Sequence, residues 1–450
     1  MILNSFRIGF GLGLLSVWSF SEFCAPAQPV TNAAGIWHHL LFSTPARLIP
    51  QYNLNGTVVE IAGRSRFENQ VAQITVQPDG TFTGPVSGSL SHGGPGWVLA
   101  TVPGQAPTAF AINSAADFGV AMKSAAGDAH DLELLLKAPA TMTTNDFVGT
   151  WKMVSLGTPH GLGLQKNGSG VVTEVFGRQD FFSGTGILTV AADGTFVMSS
   201  DGISTGTVQP LSNGRLQVNV VPPLPDPPFA LTLYVNASRN VIANLEAEPD
   251  YQGLDLLLKQ PTSTTAADLK GLWHAGSFNT PVQLTLHKNA QDEVIAMDGG
   301  DDFEIYNLTA SVGHTGYFTV APDTFGRLTV TGPGTATVTD TNVLGETGSQ
   351  PVWFNSAHDV FIGTGTDERL ELLVATRTPP LTDPAPAMGL ILFSASDGLN
   401  VCWASAPNRV LQVTTNLIHW TTLPATAGQS QHALDPASAS RNFYRLLQTP

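Results

Sequence analysis

Phe147-Val148-Gly149-Thr150-Trp151-Lys152-Met153-Val154, with Thr158-Pro159 a few residues on, decides the fold, because its core recurs twice. The other copies are Gly35-Ile36-Trp37 with Thr44-Pro45, and Gly271-Leu272-Trp273 with Thr280-Pro281. Successive tryptophans lie 114 and 122 residues apart, far beyond the roughly 20–50 residues of a solenoid unit. The period is that of a whole domain, so the chain is one design made three times.

Working outward, later landmarks keep the same order. Thr75-Val76-Gln77-Pro78-Asp79-Gly80-Thr81-Phe82 and Thr189-Val190-Ala191-Ala192-Asp193-Gly194-Thr195-Phe196 each begin 38 residues after their tryptophan. Asp-Gly between β-formers predicts a tight hairpin, since both residues tolerate positive φ. In the third copy this landmark reads as Thr319-Val320-Ala321-Pro322-Asp323-Thr324, eight residues later and without its glycine. An asparagine turn follows at Asn113, Asn236 and Asn355. Each unit closes on a leucine-rich strand ending in a cation: Leu132-Glu133-Leu134-Leu135-Leu136-Lys137, Leu254-Asp255-Leu256-Leu257-Leu258-Lys259, and Leu370-Glu371-Leu372-Leu373-Val374-Ala375-Thr376-Arg377.

Between these landmarks, short runs rich in Val, Thr, Phe and Leu are broken every 8–12 residues by Gly, Asn, Asp or Pro. That spacing predicts antiparallel strands joined by hairpins, in an all-β chain. Eight strands with short loops need about 110 residues, which fits one small meander barrel per unit; two stacked four-stranded sheets satisfy the same count. The expected organisation is a signal peptide at 1–27, barrels at 33–142, 143–264 and 265–378, a proline-rich linker at 379–389, and a small β module at 390–450.

The N-terminal segment has Arg7, an apolar run over 8–20 and the small residues Ala25-Pro26-Ala27. This is the pattern of a secretory signal cleaved after Ala27, so a secreted or cell-surface bacterial protein is expected. Cys24 raises lipidation as an alternative, against which Ser21-Glu22-Phe23 lacks the expected small and aliphatic residues. Later segments fall short of the roughly 18 apolar residues of a membrane helix. Cleavage leaves Cys402 as the sole cysteine, so each unit must be held by its own core rather than by a disulfide. The net charge is −15 with only 12% charged residues. Without a basic stripe, nucleic acid and anionic membrane are poor partner candidates, and no nucleic-acid partner is expected.

Gly-x-Trp on the first strand with a cation ending the last resembles the signature of the calycins, the lipocalin and fatty-acid-binding protein superfamily. The resemblance implies that the cation lies across the indole and closes the barrel floor, pairing Trp37 with Lys137, Trp151 with Lys259, and Trp273 with Arg377. The stretch 147–154 is similar to the start of a fatty-acid-binding protein over about eight residues. The Arg-x-Tyr pair that holds a carboxylate in those proteins has no counterpart here. The last 60 residues resemble a small C-terminal module of secreted verrucomicrobial proteins, through 411–417, Trp420-Thr421 and 441–446. That implies a short all-β domain with Trp403, Trp420 and Phe443 as its core.

Candidates for chemistry are few. Asp298, Asp301, Asp302 and Glu304 around Gly299-Gly300 offer carboxylates to calcium, but without an EF-hand spacing and in one unit only. His38-His39 and His274 follow repeat tryptophans, yet the second unit has Lys152 there, and tetrahedral metal sites need three or four converging ligands. No Gly-x-Ser-x-Gly strand-to-helix elbow is present, and Gly161-Leu162-Gly163 lacks a dinucleotide fingerprint. A glycosidase carboxylate pair is not singled out, and no polar constellation recurs in all three units. Trp97, Trp353 and Tyr317 fall outside the landmarks and offer either core or recognition surface. The expectation is a non-enzymatic binding or structural protein without a cofactor. The alternative is a carrier of small hydrophobic ligands inside the barrels.

Overall fold

The computed structural model describes residues 33–378, apart from 95, 126–128, 201, 249, 321–323, 342–346 and 366–368, and short stretches between 391 and 448. Three closed antiparallel barrels of eight strands follow one another in tandem. Each is a meander in which the opening strand (Gly35–Pro45, Gly149–Pro159, Gly271–Pro281) pairs both with the next barrel strand and with the closing strand (Ala129–Lys137, Tyr251–Lys259, Arg369–Arg377). No described helix is long and apolar enough to cross a membrane. Between 391 and 448, six short strands form two three-stranded sheets. The expected signal segment with Cys24, the linker, Trp403, Trp420, and the side chains of Cys402 and Phe443 lie outside the described residues.

Glycine explains two recurrent details. The predicted hairpin turns carry Gly80 and Gly194, both at φ +84°. The third copy has kept its glycine: Gly316, at φ +85°, closes the turn from Gly313. That turn starts 40 residues after Trp273, as Gln77 and Ala191 follow Trp37 and Trp151. The Thr319–Thr324 alignment is therefore corrected, because matching Thr-Val-Ala-Pro-Asp letter by letter overrode the turn geometry. The second detail is Gly88, Gly206 and Gly326, over which the rings of Phe82, Phe196 and Phe318 lie. A Cβ there would sit 2.6, 2.7 and 2.5 Å from the ring.

Each barrel has its own interior core, represented by Trp37, Phe82 and Phe110, by Trp151, Phe196 and Leu216, and by Trp273, Phe318 and Leu328. A fourth core is shared, and it was not anticipated. Leu40, Phe42, Leu132 and Leu134 of barrel 1 join Val154, Leu156, Leu254 and Leu256 of barrel 2 and Phe278, Leu370, Leu372 and Val374 of barrel 3. The closing strands are apolar on both faces because one face fills the barrel and the other meets the neighbouring barrels. This is the same reason doubly covered strands elsewhere lack alternation.

Sequence 46–67 and its equivalents leave the barrel as hairpin arms, Ile49–Tyr52 with Val58–Ala62, Gly163–Lys166 with Val172–Phe176, and Thr285–Lys288 with Val294–Asp298. The arms interlock cyclically. Leu162 N–H donates to Arg64 O at 2.9 Å, Leu284 N–H to Arg178 O at 2.9 Å, and Leu48 N–H to Gly300 O at 2.8 Å. Barrel 2 thus grips barrel 1, barrel 3 grips barrel 2, and barrel 1 grips barrel 3. At the centre, Phe67, Phe181 and Phe303 meet edge to face, with centroids 6.0–6.2 Å apart, the arrangement that aromatic quadrupoles favour. The three barrels form a closed ring.

Candidate functional site: floors, seams and chambers

The floor of each barrel is built one way. Every repeat tryptophan is buried, and its indole N–H donates to a backbone carbonyl four residues earlier: Ala33 at 2.7 Å, Phe147 at 2.8 Å and Leu269 at 2.8 Å. In barrels 2 and 3 that carbonyl ends a short 3-10 turn, Thr144–Phe147 and Ala266–Leu269. Lys259 Nζ stands 5.7 Å from the Trp151 ring, and the Arg377 guanidinium 5.8 Å from that of Trp273, within cation–π range. Lys137 is opposite Trp37 in register. Lys259 also donates to Asp146 O at 2.7 Å, and Arg377 to Asp268 O. Beneath barrel 1, an apolar cavity of about 10 Å³ is lined by Ala33, Trp37, Leu90, Val98, Ile112, Ala116 and Leu135.

The residues just after the tryptophans do not gather into a metal centre; each turns outward onto the next barrel. His38 packs tilted against Tyr234 at 4.7 Å, Lys152 stands over Trp353 at 4.4 Å, and His274 packs tilted against Trp97 at 4.5 Å. The aromatic residues that matched no landmark are thus partly explained: Tyr234 and Trp353 are one position in two copies, two residues before the asparagine turn, and in barrel 1, where that position is Ala111, its cross-strand neighbour Trp97 closes the seam instead. Tyr317 instead packs under Arg327 at 5.2 Å. Burial pushes the His38 imidazole and the Lys152 ammonium below their ordinary values.

A second set of seam contacts lies where the asparagine turns meet. Asn113, Asn236 and Asn355 each cap their own turn, and all three are fully buried. Asp117 accepts from Asn236 Nδ2 at 3.0 Å and Ser238 N at 2.6 Å. Asp359 accepts from Asn113 Nδ2 at 3.1 Å and Ser114 Oγ at 2.7 Å. Barrel 2 has Asn240 in place of the acid.

The four calcium candidates divide among other partners. Asp298 accepts from His287 at 2.6 Å, while Asp302 and Glu304 both face Arg369; Asp301 is exposed. Among the described residues, no group of three or more His, Cys, Asp or Glu is placed to hold a metal ion.

Above the apolar floors each barrel turns polar, but not at one shared position: Glu133 and Asp255 stand four residues before the closing cation and Glu371 six. The acid of each Leu-acid-Leu motif points inward beside a serine or histidine of the opening strand. Glu133 bonds His39 at 2.8 Å, Asp255 accepts from Ser155 at 2.5 Å, and Glu371 from Ser277 at 2.5 Å. In barrel 1, Ser43 also donates to Asp131 at 2.7 Å. The three chambers differ in compensation. Burial works against the Glu133 carboxylate, but His39 and Lys123 outweigh it and hold it below the usual range. Burial pushes Glu371 up, with Asp340 adding to the shift.

Barrel 2 carries the strongest perturbation. Asn244 donates to Asp255 at 3.2 Å and to Glu246 at 3.3 Å, and Tyr251 OH donates to Glu246 at 3.5 Å. Burial, then the neighbouring Asp255, pushes Glu246 up to about 8, and burial also raises Asp255. Phe182 packs on Tyr251 at 5.4 Å and covers Gly157, while a Cβ on Gly184 would meet nothing within 4 Å. The chamber therefore presents a carboxylic acid that is largely protonated at neutral pH and can both donate and accept, beside two aromatic rings.

A raised folded-state value stabilises below the unfolded value and loses that contribution as pH rises through the folded one. Stability of the full chain is accordingly expected to fall between the ordinary value of 4.5 and about 8. Glu246→Gln should remove on the order of 2–4 kcal/mol of that decline, since one unit is about 1.4 kcal/mol and the pair shares its protons. Urea unfolding at both ends of the window checks this; an unchanged slope in the variant would place the titration elsewhere.

The sequence matches no known family model and no curated protein. Among solved structures, it is similar to a transferrin binding protein B mutant from Haemophilus parasuis Hp5, with 8% identity, 77% of each chain covered and a TM-score of 0.23. The isotype 1 transferrin binding protein B from serogroup B Neisseria meningitidis gives 6% identity, 77% of each chain and 0.22. A protein of unknown function of the DUF3598 family from Nostoc punctiforme gives 9% identity, 77% of this chain, 96% of its own and 0.10. At such scores the likeness carries no inference about function, and the barrel architecture rests on the strand pairing itself.

Proposed function

We propose that this chain is an exported, non-enzymatic binding or scaffold protein of the cell envelope or extracellular space, its three barrels acting as one rigid body. The observation that supports this reading is the ring: three barrels with side-chain-filled floors share one core and interlock through their arms. Such a body offers outer walls and mouths to a partner. The charged-then-apolar N-terminal segment supports export, and the sparse surface charge suits an uncharged or weakly charged partner. The carrier alternative requires an apolar cavity of several hundred Å³; the apolar space under barrel 1, about 10 Å³, is close to the size of one water.

Native mass spectrometry on protein recovered from its own host tests both halves. The expected result is a mass lacking residues 1–27 and carrying no lipid or other small hydrophobic molecule. A stoichiometric apolar adduct would overturn the scaffold reading in favour of carriage, and an intact N-terminus would overturn export by signal cleavage.

A further inference from the structure

The mouths of the three barrels are copies of one design, so each serves as a control for the others, and two of them carry a cation of their own. In barrel 1 it is Lys123, on the strand Phe118–Ala125 beside the closing strand. Its ammonium pairs with Glu133 and stands 4.0 Å from Asp131. In barrel 3 it is Arg369, opposite Pro281 at the start of the closing strand, which pairs with Glu304 and, at 3.4 Å, with Asp302.

Strand register shows what barrel 2 has in those two places. Lys123 lies opposite Asp131, which lies opposite Ser43, six residues after Trp37. The same path in barrel 2 runs from Gly157 through Gly253 to Glu246. The place of Arg369, opposite the proline that ends the opening strand, is taken by Tyr251, opposite Pro159. An acid and a phenol ring thus stand where the neighbouring barrels hold cations, and Asp255 remains at the place of Glu133. His39, the imidazole that bonds Glu133, is replaced by Met153. The charged groups that act most on Glu246 are Asp255 and Glu248, both acids.

The space differs as well. Four residues after its tryptophan, each opening strand pairs with a different residue of the next barrel strand: Gln70 in barrel 1, Tyr306 in barrel 3 and Gly184 in barrel 2. A Cβ on Gly184 would meet nothing within 4 Å. This open wall lies opposite Ser155, whose hydroxyl donates to Asp255. Phe182, two residues away, is 38% exposed and meets Tyr251 edge to face.

We propose that the mouth of barrel 2 is a binding site for an organic ammonium group, which supplies from outside the cation that Lys123 and Arg369 supply from within their own barrels. Asp255 and Glu246 accept its N–H groups, Phe182 and Tyr251 attract its charge, and the wall at Gly184 admits the carbon chain that carries it. Two carboxylates are too few for a metal ion, and among the described residues no group of three His, Cys, Asp or Glu is placed to hold one. The site stands apart from export and from the scaffold role, which hold whether or not this mouth takes a ligand. Burial, then Asp255, keeps Glu246 protonated up to about 8. A cation must displace that proton, so each unit of acidification below that value weakens binding by up to about tenfold.

The test uses n-butylammonium, a lysine side chain without its backbone, titrated calorimetrically into the full chain at about pH 6.5 and about pH 8.5, where the amine stays charged. Saturable one-to-one binding is expected, at least about fivefold tighter at the higher pH. Glu246→Lys installs the residue that barrel 1 uses, and Tyr251→Arg the residue that barrel 3 uses; each should abolish binding. Thermal unfolding establishes that a titrated variant is folded, and one folded variant suffices. Heat no greater than that of sodium chloride overturns the proposal, as does binding that a folded variant retains. Tighter binding of calcium than of n-butylammonium overturns the organic class, and equal affinity at the two pH values overturns the part given to Glu246.

Discussion

Asp359→Ala is expected to cost about 3–5 kcal/mol of folding stability, the range for removing one partner of a buried charged network. The Asp359 carboxylate is fully buried and gathers Asn355 Nδ2, Asn113 Nδ2 and Ser114 Oγ. Alanine leaves those donors facing one another in a space closed to water, and each unsatisfied buried group costs about 1–3 kcal/mol. Two of the donors belong to barrel 1, so the loss falls on a seam as well as on a turn. Asp359→Asn should cost far less, because Asn240 occupies the equivalent place in barrel 2 and its backbone N–H is capped by Asn236 in the same way. Equilibrium urea unfolding of both variants checks the order. Equal costs would mean that the acid is replaceable by any side chain and that the seam gains little from it.

Trp151→Ala is expected to cost about as much, 3–5 kcal/mol by the usual scale for a buried large aromatic, through a different physical route. The indole is wholly buried, stacks on Phe147 with centroids 6.3 Å apart, and ties the 3-10 turn to the barrel through Nε1. Removing it opens a cavity, strands the Phe147 carbonyl and deprives Lys259 of its ring. Lys259→Met removes the ammonium, with its ring contact and its hydrogen bond to Asp146 O, and should cost about 1–2 kcal/mol, since the aliphatic stem still covers the floor. A near-neutral Trp151→Ala, measured by thermal or urea unfolding, would show that the floor contributes little to the barrel.

Much of this architecture was legible because it is local and repeated. Gly-x-Trp, the turn glycines and the asparagine caps depend on φ, on hydrogen bonds a few residues long and on strand period, and three copies separate pattern from accident. Two groups of residues show where that legibility stopped. Glu133, Asp255 and Glu371 stood in plain view between leucines, but the inward face of a closing strand is settled only once the barrel closes and both faces prove buried. Trp97 and Trp353 matched no landmark within their own unit because their partners, His274 and Lys152, lie in another barrel.

The sequence by itself determined that there are three β units, each opening on a tryptophan strand and closing on a leucine-rich strand that ends in a cation, since period is a property of short stretches; that tryptophan and cation stand opposite one another was implied by the calycin resemblance, and the strand register bears it out. Only the tertiary structure decided that the units interlock as a ring and that barrel 2 holds its acids without a cation. It alone decided that the arm positions pairing Lys166 with Glu60 and Lys288 with Glu174 hold Tyr52 and Ala296 at the third seam. Those facts depend on which residues from chain segments 100 or more apart come within a few ångströms, and burial and charge act on distance in space rather than on distance along the chain.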